Sequence, residues 1–296
     1  MPQATREIKR RIRSVKNTRQ ITRAMELVSA AKMRKSVSNA LASRSYAGLA
    51  WAMLQELSHR VDQSRHALLA KRELVKRIAV IHISSNRGLC GGFNNQLAFK
   101  VQTYLKNNNV NNQTDIEIIT LGRRGRDIMH RSGFTITAEF TKPDITTKFE
   151  QVSPVARLVI DDYITGKYDR VVVAYTDFVS AISQKPKVRQ ILPILLDESQ
   201  ITDHRSNSFD YEYIFEPTPD AVLEELLPRF VEMQLYQAVL ESDASEHSAR
   251  MLAMRNASDA AKDMVDSLTL AFNQARQAGI TAELSEITAG RVAVGG

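Results

Sequence analysis

Apolar residues recur at alternating steps of four and three through the C-terminal third of the chain: Leu226, Phe230, Met233, Gln237, Leu240, Ala244, His247, Met251, Met254, Ser258, Ala261, Val265, Leu268, Phe272, Ala275 and Gly279. Twelve of these sixteen positions are apolar, and neither Gly nor Pro occurs from Arg229 to Ala278, so the pattern predicts one very long helix with a single inward stripe. A shorter version runs near the start through Ile8, Ile12, Val15, Thr18, Ile21 or Thr22, Met25 and Val28, and residues 3–87 contain no Pro and only Gly48. At about 1.5 Å per residue, residues 219–287 would span roughly 100 Å and residues 3–58 roughly 85 Å, deeper than an ordinary globular domain. Neither stripe can be buried by its own helix, so each needs a partner, and the opposite end of the same chain is the obvious one. The small residues Ala244, Ser258, Ala261 and Ala275 let another backbone approach closely.

Between about residues 75 and 210 the period changes from helical to strand-like. Candidate strands are 78–84 (IAVIHIS), 116–121, 135–140, 170–175 (RVVVAY), 190–195 and 211–215, with helix-like stretches at 94–106 and 151–165. Strands alternating with helices imply a partly parallel sheet with crossover helices, a Rossmann-like α/β domain. The polar segments 106–115, 141–148 and 197–210 read as loops or exposed turns. The expected organisation is a mixed α+β and α/β chain: residues 1–72 as the first helix of a long antiparallel coiled coil, 73–208 as the central α/β domain, and 209–296 as the returning helix.

Charge selects the same pairing. Residues 1–48 carry 12 Lys and Arg against 2 acids, whereas residues 209–296 carry 6 against 15. Each exposed pair contributes only about 0–1 kcal/mol, so the asymmetry chooses the partner more than it stabilises the pair. Eleven of the twelve N-terminal cations fall between Arg6 and Lys35, too many for one neighbouring helix to answer, which predicts a second acidic surface outside this chain. A formal net charge of +7 leaves nucleic acid as an alternative partner, but no aromatic residue precedes Ser45 to provide a stacking platform. The single cysteine, Cys90, excludes a disulfide framework, and no apolar run is long enough to span a membrane. The Arg-rich start lacks Ser-rich, cleavable character and reads as part of the mature chain.

The sharpest local motif is SSNRGLCGGFNNQL after the strand IAVIHIS. A glycine-rich turn between strand and helix resembles a phosphate cradle, yet neither GxGxxG nor GxxxxGK[ST] is matched. Gly88, Gly91 and Gly92 read more simply as a tight turn with close strand–helix packing, and Cys90 as a small core residue. His59, His66, His82, His130, His204 and His247 have no metal-ligand spacing. On the C-terminal helix, His247 in SEHSARM reads as an interfacial imidazole bonded to a neighbouring helix, and Glu246 and Arg250 as an exposed ion pair four residues apart. No catalytic, cofactor-binding or metal-ligating residue is expected.

Three segments together go beyond pattern: IKRRIRSVKNTRQITRAMELVSAAKMRKS, SSNRGLCGGFN, and SEHSARMLAMRNAS with NQARQAGITAELSEI. In order and spacing, over nearly the whole chain, they resemble the gamma subunits of F-type ATP synthases. The resemblance implies a rotor shaft, two terminal helices turning inside a ring of alternating alpha and beta subunits, with the α/β domain joining the epsilon subunit and the membrane ring of c subunits. Proton flow turns ring and shaft, and ATP is made in the beta sites. Carried over by position, Arg276, Gln277, Thr281 and Glu283 match contacts to beta, and Arg23 and Met25 fall where the shaft meets an acidic lever of beta. Tyr213 and Glu216 match the foot touching the c ring, while Ile8, Ile12, Val15, Met25, Ala244, Met251, Ala261 and Leu268 form the coiled-coil seam. Ile280, Leu284, Ile287 and Val292 are apolar enough for a bearing. The pattern departs at Asn86, where Asp is common, at Ala260, where Asn is common, and at Arg291 in the tail. The implied setting is the cytoplasmic face of a bacterial plasma membrane, as a peripheral protein.

Overall fold

The computed structural model describes residues 3–58, 61, 66–70, 72, 74–107, 115–195, 216 and 218–294. Helix α1 runs over Gln3–Ser58 and helix α5 over Pro219–Val294. Between them lie β1 (Arg77–Ile83), α2 (Phe93–Asn107), β2 (Asp115–Leu121), α3 (Arg123–Arg131), β3 (Thr135–Phe140), a 3₁₀ turn at Phe149–Gln151, α4 (Ser153–Ile164), β4 (Arg170–Phe178) and β5 (Gln184–Leu192). The strand expected at 211–215 falls outside the described residues.

The strands form one sheet in the order β3-β2-β1-β4-β5. Strand β1 pairs in parallel with both β2 and β4, β2 pairs in parallel with β3, and β5 closes the edge antiparallel to β4. Successive residues of a strand face opposite sides, so the near-continuous apolar run of β1 serves two cores. Ile78 and Val80 pack with Leu97, Val101 and Met129 of α2 and α3. Ala79, Ile81 and Ile83 pack with Val155, Val159 and Tyr163 of α4, with Leu54 and Leu57 of α1, and with Leu223, Leu227 and Phe230 of α5. Two elements differ from the sequence reading. Helix α3 is not foreseen, because only Gly125 and Met129 of its nine residues are buried and its apolar signal is a single contact. Strand β5 begins six residues early, since an edge strand with half-exposed or exposed Lys185, Lys187 and Arg189 shows no apolar alternation.

By its internal contacts the chain divides into two compact units, residues 1–29 with 250–296, and residues 30–249. In the smaller unit the predicted stripe of α5 holds throughout: Met254, Ser258, Ala261 and Val265 are buried, and Met251, Leu268, Phe272, Ala275 and Gly279 are half-buried. On α1, Thr5 and Ser29 are buried and Ile8, Ile12, Val15, Thr22 and Met25 are half-buried. Of the alternatives at one turn, Thr22 faces inward and Ile21 is 60% exposed; Val28, expected inward, is exposed, and Ser29 takes its place. Small polar side chains thus occupy seam positions where bulk would push two helices apart.

Candidate functional site

In a doubly wound sheet the usual ligand crevice lies outside the carboxyl ends of the strands, where the strand order reverses. Here that point is between β1 and β4, and α5 bonds to the β4 side of it. The stretch of α5 from Glu241 to Ser248 is buried at every residue although seven of the eight are polar or charged. Ser245 Oγ donates to the carbonyl of Thr176 on β4 at 3.0 Å, and Ser248 Oγ donates to the carbonyl of Ala181 in the β4–β5 turn at 2.6 Å.

The glycine-rich turn is correspondingly structural. Gly91 has φ +58, a backbone conformation that suits glycine. Cys90 is buried, with its Sγ 3.3 Å from Asn94 Nδ2, as a small core residue should be. Asn94 anchors the start of α2 to the end of β1, its Oδ1 accepting from the backbone N–H of Ser85 at 3.1 Å. Close backbone approach occurs elsewhere: a Cβ at Gly125 would stand 2.4 Å from His82 Nδ1, and one at Gly122 would stand 2.4 Å from the carbonyl oxygen of Ser84.

His82 is fully buried beneath Gly125, and neither ring nitrogen has a hydrogen-bond partner among the described residues. Burial disfavours the imidazolium and lowers its pKa from 6.5 to about 4. Between those values the unfolded chain binds a proton that the folded chain refuses. Stability should therefore be constant above pH 6.5, fall as pH drops toward 4, and level off below, by about 3 kcal/mol from this group. Denaturant midpoints measured across that range check it: the His82→Leu variant should lose this part of the slope, and an unchanged slope would assign it to other groups.

The segment 141–148, expected as a loop or exposed turn, is a loop whose Thr141, Asp144, Thr147 and Lys148 are exposed, but it works as a strap because two of its side chains turn inward. Lys142 and Thr146 are 3% and 0% exposed. Lys142 Nζ lies 2.6 Å from Asp243 Oδ1 and 2.7 Å from Glu246 Oε2, and Asp243 Oδ2 accepts from the backbone N–H of Thr146 at 2.7 Å. Burial alone would discharge the ammonium, but the two carboxylates outweigh it and raise its pKa. Glu246, read as half of a solvated pair with Arg250, is thus buried against a cation from more than a hundred residues upstream. His247 Nε2 meets the carbonyl of Asp144 at 2.7 Å, in the strap rather than in a neighbouring helix; a carbonyl only accepts, so the ring donates. The same strap reaches α1, where Lys32 Nζ pairs with Asp144 Oδ2 at 2.9 Å and Asn39 Nδ2 donates to the carbonyl of Thr146 at 3.2 Å. The Lys32 ammonium holds the Asp144 carboxyl below the ordinary carboxylate range. Losing one partner of such a buried set costs about 3–5 kcal/mol, because the remaining charges stay uncompensated.

The smaller unit carries the other sequence-derived candidates on its outside. Every Lys and Arg from Arg6 to Arg23 is exposed. Arg23 pairs with Glu26 at 2.7 Å one helical turn on, and Met25 is half-buried beside it. On α5, Arg276, Gln277, Thr281 and Glu283 are all exposed; Thr281 Oγ1 donates to the carbonyl of Gln277 at 3.0 Å, which leaves its methyl and the three long side chains free for an outside surface. Burial on α5 ends at Gly279, and residues 280–291 are exposed throughout, so Ile280, Leu284 and Ile287 present an apolar stripe at steps of four and three with nothing against it among the described residues. Of the seam candidates, Ala244 is fully buried in the larger unit, while Ile8, Ile12, Val15, Met25, Met251, Ala261 and Leu268 are inward in the smaller one. Glu216 is exposed and lines a cavity of about 810 Å³ with Tyr46, Phe149, Leu226, Arg229 and Met233. Tyr213 lies outside the described residues. The buried cluster of Lys142 with Asp243 and Glu246 is the feature that sequence reading misses; the nearest signal for it is the two acids flanking a stripe position of an otherwise apolar seam.

Among the described residues no helix is long and apolar enough to cross a membrane. The chain is 44% identical to an ATP synthase gamma chain of Chloroflexus aurantiacus, over 98% of this chain and 99% of that one, and 42% identical to that of Heliobacterium modesticaldum over the same shares. Its fold is similar to chains of the Euglena gracilis mitochondrial ATP synthase in an OSCP/F1/c-ring structure (TM-score 0.67, 22% identity, 98% of this chain and 94% of that one). It is also similar to a chain of the Tetrahymena thermophila mitochondrial central stalk and c-ring (TM-score 0.60, 25% identity, 80% of this chain and 99% of that one). The family model described as ATP synthase matches residues 4–294, and with near-complete coverage at this identity the chain belongs to the ATP synthase gamma-chain family.

Proposed function

We propose that the chain is the central rotor shaft of an F-type ATP synthase, coupling ion flow across a membrane to ATP synthesis, or the reverse, at sites in beta subunits. The observation that carries this reading is the smaller unit: two helix segments with a small-residue seam inside, a dense array of exposed cations outside, and an apolar overhang from Ile280 to Ile287. A shaft has to resist twist while sliding in a sleeve. Close packing through Ser258 and Ala261 serves the first need, and an apolar surface without fixed polar bonds serves the second.

Coupling also requires contacts whose free energy differs between rotational states, since a ligand shifts an equilibrium only by its differential affinity. Exposed Arg276, Gln277, Thr281 and Glu283, and Arg23 beside Met25, are suited to such angle-dependent contacts with alpha and beta subunits. Glu216 and Tyr213 serve the contact with the c ring, and the α/β domain that with epsilon. The chain sits at the cytoplasmic face of a bacterial plasma membrane, held there through its partners.

The test is composition of the native complex. Purified from membranes, it should contain one copy of this chain for three copies each of two larger nucleotide-binding subunits. A homodimer, or a free chain that binds nucleic acid tightly in a salt-sensitive way, would sink the rotor reading in favour of a coiled-coil adaptor.

A further inference from the structure

We propose that the strap 141–148, through Lys142, is a torque clamp: the element that fixes α5 rotationally to the sheet, so that Lys142 is a positioning residue for coupling. The inference rests on the rotor reading above and assigns within it where load passes between helix and α/β domain.

The hydrophobic effect is itself non-directional and does not single out one rotation of a helix about its axis. A directional, buried set of charged hydrogen bonds resists such slip, and burial protects it from salt screening. Within the larger unit the strap supplies that set. Lys142 grips Asp243 and Glu246, which sit three residues apart on one face of α5, and Asp243 is held a second time by the N–H of Thr146. The strap is itself anchored on the sheet side. It follows directly on β3, which ends at Phe140, and Asn86, just after β1, donates its Nδ2 to the carbonyl of Lys142. At its far end Gln151 Oε1 accepts from the N–H groups of Thr147 and Lys148, at 3.0 and 3.1 Å. Lys32 and Asn39 tie α1 to the same strap. Load on α5 therefore has a charged path to the ends of β3 and β1 through the Lys142 ammonium, beside the neutral bonds of Ser245 to Thr176 and Ser248 to Ala181.

The experiment uses inverted membrane vesicles carrying the whole complex, with three measurements on each preparation: amount of assembled complex, ATP hydrolysis, and ATP-driven uptake of protons or sodium ions. Absence of ATP-driven uptake of either ion by the unsubstituted complex sinks the rotor reading itself, whatever Lys142 does. With that uptake present, Lys142→Met should lower the ions moved per ATP hydrolysed about twofold or more in complex that has assembled. Lys142→Arg, which keeps a cation within reach of both carboxylates, should leave that ratio at the unsubstituted value. A purely architectural role would reduce only the amount of complex, and an unchanged ratio in Lys142→Met overturns the clamp. Should that variant not assemble, Glu246→Gln decides instead: it removes one of the two carboxylates, and again a lowered ratio supports the clamp while an unchanged one overturns it.

Discussion

Replacing Gly122 with valine is expected to leave no folded protein to assemble. Gly122 joins the end of β2 to the start of α3 with φ +106, a region closed to β-branched side chains. The space is closed as well, because a Cβ there would stand 2.4 Å from the carbonyl oxygen of Ser84, and backbone cannot swing aside as a flexible side chain would. That backbone is already committed: Ser84 N–H donates to the carbonyl of Leu121 at 2.8 Å, Ser84 Oγ donates to that of Gly122 at 3.0 Å, and Ser84 Oγ accepts from Gly125 N–H at 2.8 Å. Strain of about 1–3 kcal/mol from the dihedral adds to the displacement of β1 from β2, and together they exceed about 4 kcal/mol, a large part of a typical domain's stability. Gly133 separates the two causes. Its φ is +85 but nothing lies within 4 Å of its missing Cβ, so Gly133→Ala meets dihedral strain alone and should cost only about 1 kcal/mol. Soluble yield and thermal unfolding of the two variants check this; a Gly122→Val chain that melts near the parent would mean the β1–β2 junction is looser than these contacts require.

Much of this architecture is legible in the sequence because burial and period coincide. Along α5 one face is buried for most of the helix, so a step of four and three lands on Met254, Ser258, Ala261 and Val265 without knowledge of the partner. The central strands are legible for a different reason: β1 and β4 are covered on both sides, which demands unbroken runs such as IAVIHI and RVVVAY. The reading fails where a long-range partner decides. Local rules place Glu246 on a helix face in solvent; it is buried and bonded to Lys142, in a polar segment whose composition alone gives no sign of that contact. Helix α3 is lost to its composition, RRGRDIMHR, although the glycines bracketing it, Gly122 and Gly133, both adopt positive φ and mark its two ends. The exposed candidates Arg276 and Glu283 come from resemblance alone, since a solvated helix charge and a contact to an absent subunit look alike in one chain.

The second large effect is expected at the seam. Ala261 is 8% exposed, between Ser258 at 6% and Val265 at 8%, on the inward face of the smaller unit. The inward positions of α1 are also lean: Ser29 is 3% exposed and Thr22 half-buried. Tryptophan at 261 would put a large indole on a buried position now filled by a methyl group. Overpacking costs about 1–3 kcal/mol where surroundings can yield, and more where two backbones must separate. Separation along a heptad seam does not stay local, because lifting the helices at one layer exposes the neighbouring layers at Met254 and Val265. Ala261→Trp should therefore yield membranes with little assembled complex, whereas Asp263→Trp, two residues on and exposed, should assemble normally. Quantifying this chain in complex purified from each membrane makes the comparison. Normal assembly of Ala261→Trp would mean that Ala261 faces no partner helix, and the paired-helix register that makes this unit a shaft would have to be redrawn.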